Sequence, residues 1–180
     1  MDETDPRADQ ELIEAINRGD RTASEALYRR YSGWIYRLAW RFTGDRDLAL
    51  DVLQETFAYL LTKPPRLTLT SKMTTFLYPT VKNLAIAARR KARRYASDEQ
   101  VILSLPSRDE DTPSRAELAA ALSALPEAQR EVLLMRFVDD MELREIAAAL
   151  KIPEGTVNSR LHYALEALRG DERTRRHFGI

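Results

Sequence analysis

A two-residue break, Ile152-Pro153, separates two short amphipathic runs in the last quarter of this 180-residue chain. Before it, Ile146, Ala147 and Leu150 fall at i, i+1 and i+4 and make one apolar stripe. After it, Glu154-Gly155-Thr156 restarts a helix whose predicted inner face carries Val157, Leu161, Leu165 and Leu168. Two such helices joined by a tight turn have few ways to fold, and a helix-turn-helix is the foremost of them. The second helix keeps Asn158, Ser159, Arg160, His162 and Tyr163 off its apolar stripe. These are hydrogen-bonding side chains of the kind that contact base edges and phosphates. The alternative is an αα-hairpin that only packs.

A formal net charge of +0 looks wrong for a nucleic-acid binder, but the charges are not evenly spread. Acid collects in Asp2, Glu3, Asp5, Asp9, Glu11 and Glu14, and again around Asp98, Glu99, Asp109, Glu110 and Asp111. Base collects in Arg89-Arg90-Lys91-Ala92-Arg93-Arg94, a run without acid. Screening acts over about 8–10 Å, so local clusters set the field felt by a phosphate. An acidic linker beside a basic face would also suppress non-specific binding.

Helical periodicity dominates, and strand signals are weak. A short helix is predicted over Asp9 to Arg18, stopped by Gly19. Thr22 or Ser24 would cap a long second helix with a core stripe of Leu27, Tyr31, Ile35, Leu38 and Phe42. Gly44 stops it. Asp45 or Asp47 opens a third helix through Val52, Leu53, Thr56, Phe57, Leu60 and Leu61, and Lys63-Pro64-Pro65 ends that one. A polar loop, 66–74, precedes a fourth helix over about Thr75 to Arg94. Pro79 predicts either a kink there or a helix start near Tyr78. Residues 96–113 read as a flexible acidic linker. Beyond it, helices are predicted over Ser114–Ala124 and Pro126–Val138, with Pro126 in the first turn, followed by the helix-turn-helix.

The expected architecture is therefore all-α, with two small helical domains, 1–95 and 114–170, joined by the linker, the second holding the helix-turn-helix. A short tail, 171–180, follows. No cysteine is present, and His162 and His177 are the two histidines, so no metal site and no cofactor are expected. The acidic start has no signal-peptide pattern and no run is apolar enough to span a membrane, so a cytoplasmic protein without membrane insertion is expected. Nothing pairs a nucleophile with a base or forms a phosphate-binding glycine loop, so an enzyme is not expected.

Five segments, in this order and spacing, resemble the extracytoplasmic-function (ECF) group of bacterial RNA polymerase sigma factors. They are Ala26–Tyr31, Asp51–Phe57, Thr75–Tyr78 with Lys82–Leu84, Leu125–Leu133 and Ile152–His162. The resemblance implies a first domain that binds core polymerase and opens the promoter −10 element, and a second that reads the −35 element. Asp51, Gln54 and Glu55 share a helix face and would dock on the clamp helices of the largest polymerase subunit. Phe76 and Tyr78 would stack unpaired −10 bases, Lys82 and Asn83 would make polar contacts, and Arg89, Arg90, Arg93 and Arg94 would hold phosphates. Core positions are the alternative for Phe76 and Tyr78. In the second domain Asn158 and Ser159 would lead base reading, followed by His162 and Tyr163, while Thr156, Arg160 and Arg144 would touch phosphates. The implied partners are core polymerase, promoter DNA and an anti-sigma factor. The competing readings are a helix-turn-helix regulator that binds duplex DNA without acting as a sigma subunit, and a helical interaction module.

The chain also departs from the family pattern. Leu48 and Leu50 stand where acids are common in the docking helix, and Ala87 where an Asp is common. A phosphorylated threonine such as Thr56 would restore negative charge. Lys151 replaces the usual glycine of the turn, at a cost on the order of 1 kcal/mol if its backbone is left-handed. Asn158 stands where Arg or Lys is frequent, which favours adenine edges.

Overall fold

Asp20 follows a glycine-assisted turn and starts one of the two 23-residue helices of the first unit. Its carboxylate accepts the Thr22 N–H at 2.9 Å and the Ala23 N–H at 3.4 Å, so it, and not Thr22 or Ser24, is the N-cap. Gly19 before it and Gly44 at the far end both have positive φ, +86° and +71°. The computed structural model describes residues 5–62, 67–95 and 113–174. Among these the regular structure is helical, with no strand: α1 (Asp9–Asn17), α2 (Arg21–Thr43), α3 (Arg46–Thr62), α4 (Met73–Tyr95), α5 (Pro113–Ala124), α6 (Glu127–Phe137), α7 (Leu143–Leu150) and α8 (Glu154–Gly170). The expected Lys63-Pro64-Pro65 stop, the linker before Pro113 and the tail beyond Thr174, with His177, lie outside the described residues.

The chain divides into two compact units, residues 1–106 and 107–180. In the first, α2, α3 and α4 pack against one another and α1 packs on α2. Helical spacing accounts for the core. α2 buries Leu27, Ile35 and Leu38, α3 buries Val52, Leu53, Phe57 and Leu60, and α4 buries Met73, Leu77, Val81 and Ala85. Tyr31 and Phe42 are only half-buried, and Leu61, expected inside, is 48% exposed. Asp45 caps α3 by accepting the Leu48 N–H at 2.9 Å.

Proline does not delay the fourth helix. α4 starts at Met73 and carries Pro79 in its interior. Pro79 has no N–H to give the Thr75 carbonyl one turn back. The buried Thr75 hydroxyl likewise finds no partner among the described residues. An unsatisfied buried hydroxyl costs about 1–3 kcal/mol, so this turn is held by its packing, with Leu77 and Tyr78 fully in the core.

In the second unit α8 packs on α6 and α7. Pro126 is the N-cap of α6 rather than its first helical residue. The core is Val132, Leu133, Leu134 and Met135 from α6, Ile146 and Ala149 from α7, Val157 and Ala164 from α8, and Met141 from the connection. Two stripe expectations shift here. Ala147 and Leu150 are half-buried while Ala149 is inside, and Leu161, Leu165 and Leu168 are half-buried while Ala164 is inside. Close packing between short helices favours the small side chain at the contact point. The start of the expected tail is ordered onto the unit. Thr174 is buried, and its hydroxyl donates to the Leu168 and Asp171 carbonyls at the end of α8.

Candidate nucleic-acid interface

The geometry of α8 follows from the turn before it. Lys151 lies in left-handed backbone at φ 55° and ψ 45°. The Ile152 N–H donates to the Ala147 carbonyl at 3.1 Å and the Lys151 N–H to the Ala148 carbonyl at 3.4 Å. This is a Schellman ending, which reverses the chain sharply and satisfies two terminal carbonyls. Pro153 then caps α8, and Val157 is buried on its inner side.

With Val157 and Ala164 inside, helical spacing puts Gly155, Asn158, Ser159, His162, Tyr163 and Glu166 on the outside. All six are exposed, Tyr163 by 57%. The Ser159 hydroxyl donates to the Gly155 carbonyl at 2.9 Å and keeps its acceptor lone pairs outward. The His162 and Tyr163 rings meet edge to face with centroids 5.5 Å apart. His162 Nε2 lies 3.5 Å from Glu166 Oε2. Thr156 and Arg160 sit half-buried at the borders of this face. Arg144 on α7 is 73% exposed and pairs with Glu142 at 2.8 Å. Of the seven residues expected from the sequence, six lie on α8 and Arg144 on α7, which packs against it.

In the first unit, Asp51, Gln54 and Glu55 are exposed on α3, opposite the buried Val52, Leu53 and Thr56. Asp51 and Glu55 rim a shallow groove between α3 and α4, with Lys91 on the far side and Leu48 and Ala87 in its wall. The two departures from the family pattern at Leu48 and Ala87 therefore fall in one place. Thr56, named as a residue whose phosphorylation would restore negative charge, is not placed for it. It is 0% exposed, and its hydroxyl donates to the Val52 carbonyl at 2.7 Å, closed off from any modifying enzyme.

The outward residues of α4 divide sharply. Tyr78, expected to stack a base, is 1% exposed and lies edge-on to Phe42 at 6.4 Å. It is a core residue, because Pro79 does not displace the helix and position 78 follows Leu77 inward. Phe76 is half-buried and Asn83 exposed. Lys82 is half-buried, with its ammonium 5.8 Å from the centroid of the Phe42 ring. Arg90, Arg93 and Arg94 are exposed around a shallow pocket with Ile86. Arg89 is half-buried and its Nη1 donates to the Phe42 carbonyl at 3.5 Å, so it helps close the end of α2 as well as adding charge.

Residues 27–95 match the family model described as sigma-70 region 2, and residues 115–168 the one described as sigma-70 region 4. The chain is 31% identical to the ECF RNA polymerase sigma factor SigW of Bacillus subtilis over 173 residues, 87% of this chain and 92% of that one. The chain belongs to the ECF sigma factors. It is also 34% identical to the ECF sigma factor SigL of Mycobacterium tuberculosis over 80% of this chain and 85% of that one. In fold it is similar to CnrH, solved in complex with the cytosolic domain of CnrY, with a TM-score of 0.64 and 22% identity across 91% of this chain and 96% of that one. It is similar too to the sigma factor RpoE of Bartonella quintana, solved with the anti-sigma factor NepR, with a TM-score of 0.62 and 18% identity across 87% and 96%. This ECF sigma factor directs core RNA polymerase to promoters for initiation, and sigma factors are not enzymes in the catalytic sense. None of its described helices is long and apolar enough to cross a membrane. No group of described histidines and carboxylates has the makings of a metal site.

Sequence reasoning missed a polar network at the start of the first unit. Arg30 Nη1 pairs with Asp9 Oδ1 at 2.5 Å, and its Nη2 donates to the Asp5 and Arg7 carbonyls at 2.8 and 3.0 Å. The Tyr31 hydroxyl donates to the other Asp9 oxygen. Burial and that hydrogen bond push the Tyr31 phenol up from its ordinary value. The acid-rich start read as surface charge, and nothing in its local pattern signals that Arg30 gathers it.

Proposed function

We propose that residues 1–95 and 114–170 divide the work of initiation between them. In this reading Asp51, Gln54 and Glu55 dock on the clamp helices of the largest polymerase subunit. Arg90, Arg93 and Arg94 hold promoter phosphates, with Arg89 adding to the field. Phe76, Lys82, Asn83 and the loop before α4 engage the −10 bases once they are unpaired. Base extrusion costs a few kcal/mol, and a stacked ring returns about 1–3 kcal/mol per base. Tyr78 supports this surface from the core. Asn158 and Ser159, then His162 and Tyr163, read −35 base edges in the major groove, and Thr156, Arg160 and Arg144 hold the adjacent backbone.

The observation that carries this reading is the outward face of α8, where four hydrogen-bonding side chains are exposed together on a helix locked by a Schellman turn. The protein acts in the cytoplasm, without membrane insertion, cofactor or metal. An anti-sigma factor is its proposed regulator, on its likeness in fold to RpoE and CnrH, each solved with a bound partner. No observation favours the plain duplex-binding regulator.

Run-off transcription with purified core polymerase on a promoter library tests the division of labour. Transcripts should require this protein and share a −35/−10 pair. Asn158→Ala should relax choice at one −35 position by about 1–3 kcal/mol. The pair Asp51→Ala and Glu55→Ala should weaken core binding and leave −35 choice alone. Sequence-specific duplex binding without any such transcript would refute the assignment.

A further inference from the structure

The loop that leads into α4 is held from outside by α1. The Asn17 side-chain amide donates to the Leu67 carbonyl at 3.0 Å, 50 positions away. The Gln10 side-chain oxygen accepts the Leu69 N–H at 3.1 Å, 59 positions away. The two contacts straddle Thr68, one residue to each side. They leave Leu67 and Leu69 half-buried against the unit and Thr68, Thr70, Ser71 and Lys72 exposed. Exposure alternates along 67–70, so fixing positions 67 and 69 fixes which way 68 and 70 face.

The tether is itself braced. Gln10 donates its amide N–H to Glu14 at 2.9 Å, which turns its oxygen towards the loop. Glu11 accepts the Ala8 N–H at 2.7 Å at the start of the helix. Arg30 then binds Asp9 and the Asp5 and Arg7 carbonyls, fastening the start of α1 to α2. Leu12, Ile13 and Ala15 bury the inner side of the same helix. A nine-residue helix is marginal by itself, so these contacts are what fix its place on the unit. It transmits the position of α2 to a loop whose own outward residues are polar.

We infer that Gln10 and Asn17 are positioning residues for promoter opening: α1 is a fixed bracket that presets the Leu67–Lys72 loop so that its exposed hydroxyls meet the unpaired −10 strand. This rests on the proposed −10 role of that loop. A preset loop meets the strand without first being ordered, and ordering a segment on binding is what weakens affinity and blurs selectivity. Gln10 and Asn17 act through the loop backbone.

The direction of each hydrogen bond supplies the test. Full-length protein is compared as wild type, Gln10→Ala with Asn17→Ala, Asn17→Asp, and the exchange Gln10→Glu with Glu14→Gln. Asn17→Asp removes the donor that Leu67 needs. The exchange keeps a carboxylate acceptor for Leu69 and a donor beside it. Hydrogen exchange of the 67–72 amides reports the tether without DNA, and run-off transcription by the holoenzyme on a promoter and its single-base −10 variants reports its use. Asn17→Asp should speed loop exchange by about tenfold, the loss of one hydrogen bond of ordinary strength, and the double alanine variant, which removes both bonds, by more than that. They should flatten discrimination at one −10 position roughly fivefold or more on the same scale, with core binding unchanged. The exchange variant should behave as wild type in both. Unaltered loop exchange overturns the inference, and so does faster exchange with wild-type −10 discrimination. Wild-type transcription that ignores the −10 sequence would instead overturn the assignment of the loop, and with it the purpose given to the bracket.

Discussion

His162 and Glu166 face each other one turn apart on the open side of α8, with Nε2 and Oε2 separated by 3.5 Å. Both are exposed, so the pair adds little to stability, about 0–1 kcal/mol at most. Its consequence is electrostatic. Glu166 places an acid on the face proposed to enter the major groove, and it engages a nitrogen that His162 would otherwise offer to a base. Glu166→Gln should therefore tighten promoter binding by the holoenzyme roughly threefold at low salt, the scale of one surface ion pair, with melting unchanged. Filter binding across a salt series measures this, and equal affinity at every salt concentration would place Glu166 away from the DNA.

Lys151 gives a stability test. Its φ of 55° is the region where a side chain is strained and glycine is not. Lys151→Gly should stabilise the second unit by about 0.5–1 kcal/mol, part of the gain being offset by the looser unfolded chain. The midpoint of that unit should rise by roughly 4 °C in calorimetry. A fall would mean that the lysine side chain makes a contact that outweighs the strain.

Thr56 separates modification from packing. A carboxylate at a site that is 0% exposed has no room and no partner. Thr56→Glu should destabilise the first unit by at least about 3 kcal/mol, as burying an unpaired charge does. Thr56→Val should cost about 1 kcal/mol or less, because the Thr56 hydroxyl bonds only a carbonyl that its own helix already uses. Chemical denaturation distinguishes them. A folded Thr56→Glu protein with stronger core binding would restore the phosphorylation idea.

Acid should release the start of the chain. Asp5 is held at a pKa of about 2, first by its side-chain bond to Arg7, and Asp20 at about 2, first by the Thr22 hydroxyl and then by Arg7. Both lie below the ordinary 3.8, so the folded carboxylates are the stronger acids. Their contribution is complete above about pH 4 and disappears as pH falls through about 2. Amide exchange in residues 5–8, corrected for its intrinsic pH dependence, should lose protection across that window. Asp20→Asn should remove part of the effect, and protection constant down to pH 2 would contradict it.

Much of the helix inventory was legible because it is local. Gly44, Asp45 and the spacing of Val52, Leu53, Phe57 and Leu60 state where a helix stops, restarts and faces, within a window of a few residues. The outward set on α8 was legible for the same reason, since one buried position, Val157, orients every other residue on a rigid helix. Tyr78 was not legible. Its period admitted either a core or a surface place, and only the packing of α4 against α2 and its Phe42 chose between them. The N-cap at Asp20 was missed because three cap-forming residues stood close together there, and the arrival of Arg7 from outside the helix favours one of them.

The sequence by itself determined an all-helical chain, the family it belongs to, and the outward place of Asp51, Gln54 and Glu55 on α3 and of Asn158, Ser159, His162 and Tyr163 on α8, because these depend on interactions between near neighbours along the chain. Only the tertiary structure decided that Tyr78 and Thr56 are closed to solvent, that Arg30 gathers the acidic start, and that Gln10 and Asn17 hold a loop 50 and more positions away. The contacts of Tyr78, Arg30, Gln10 and Asn17 join residues distant in sequence, and no local period or propensity records which distant group a side chain will meet; Thr56 is closed off by the packing of α3 against its neighbours.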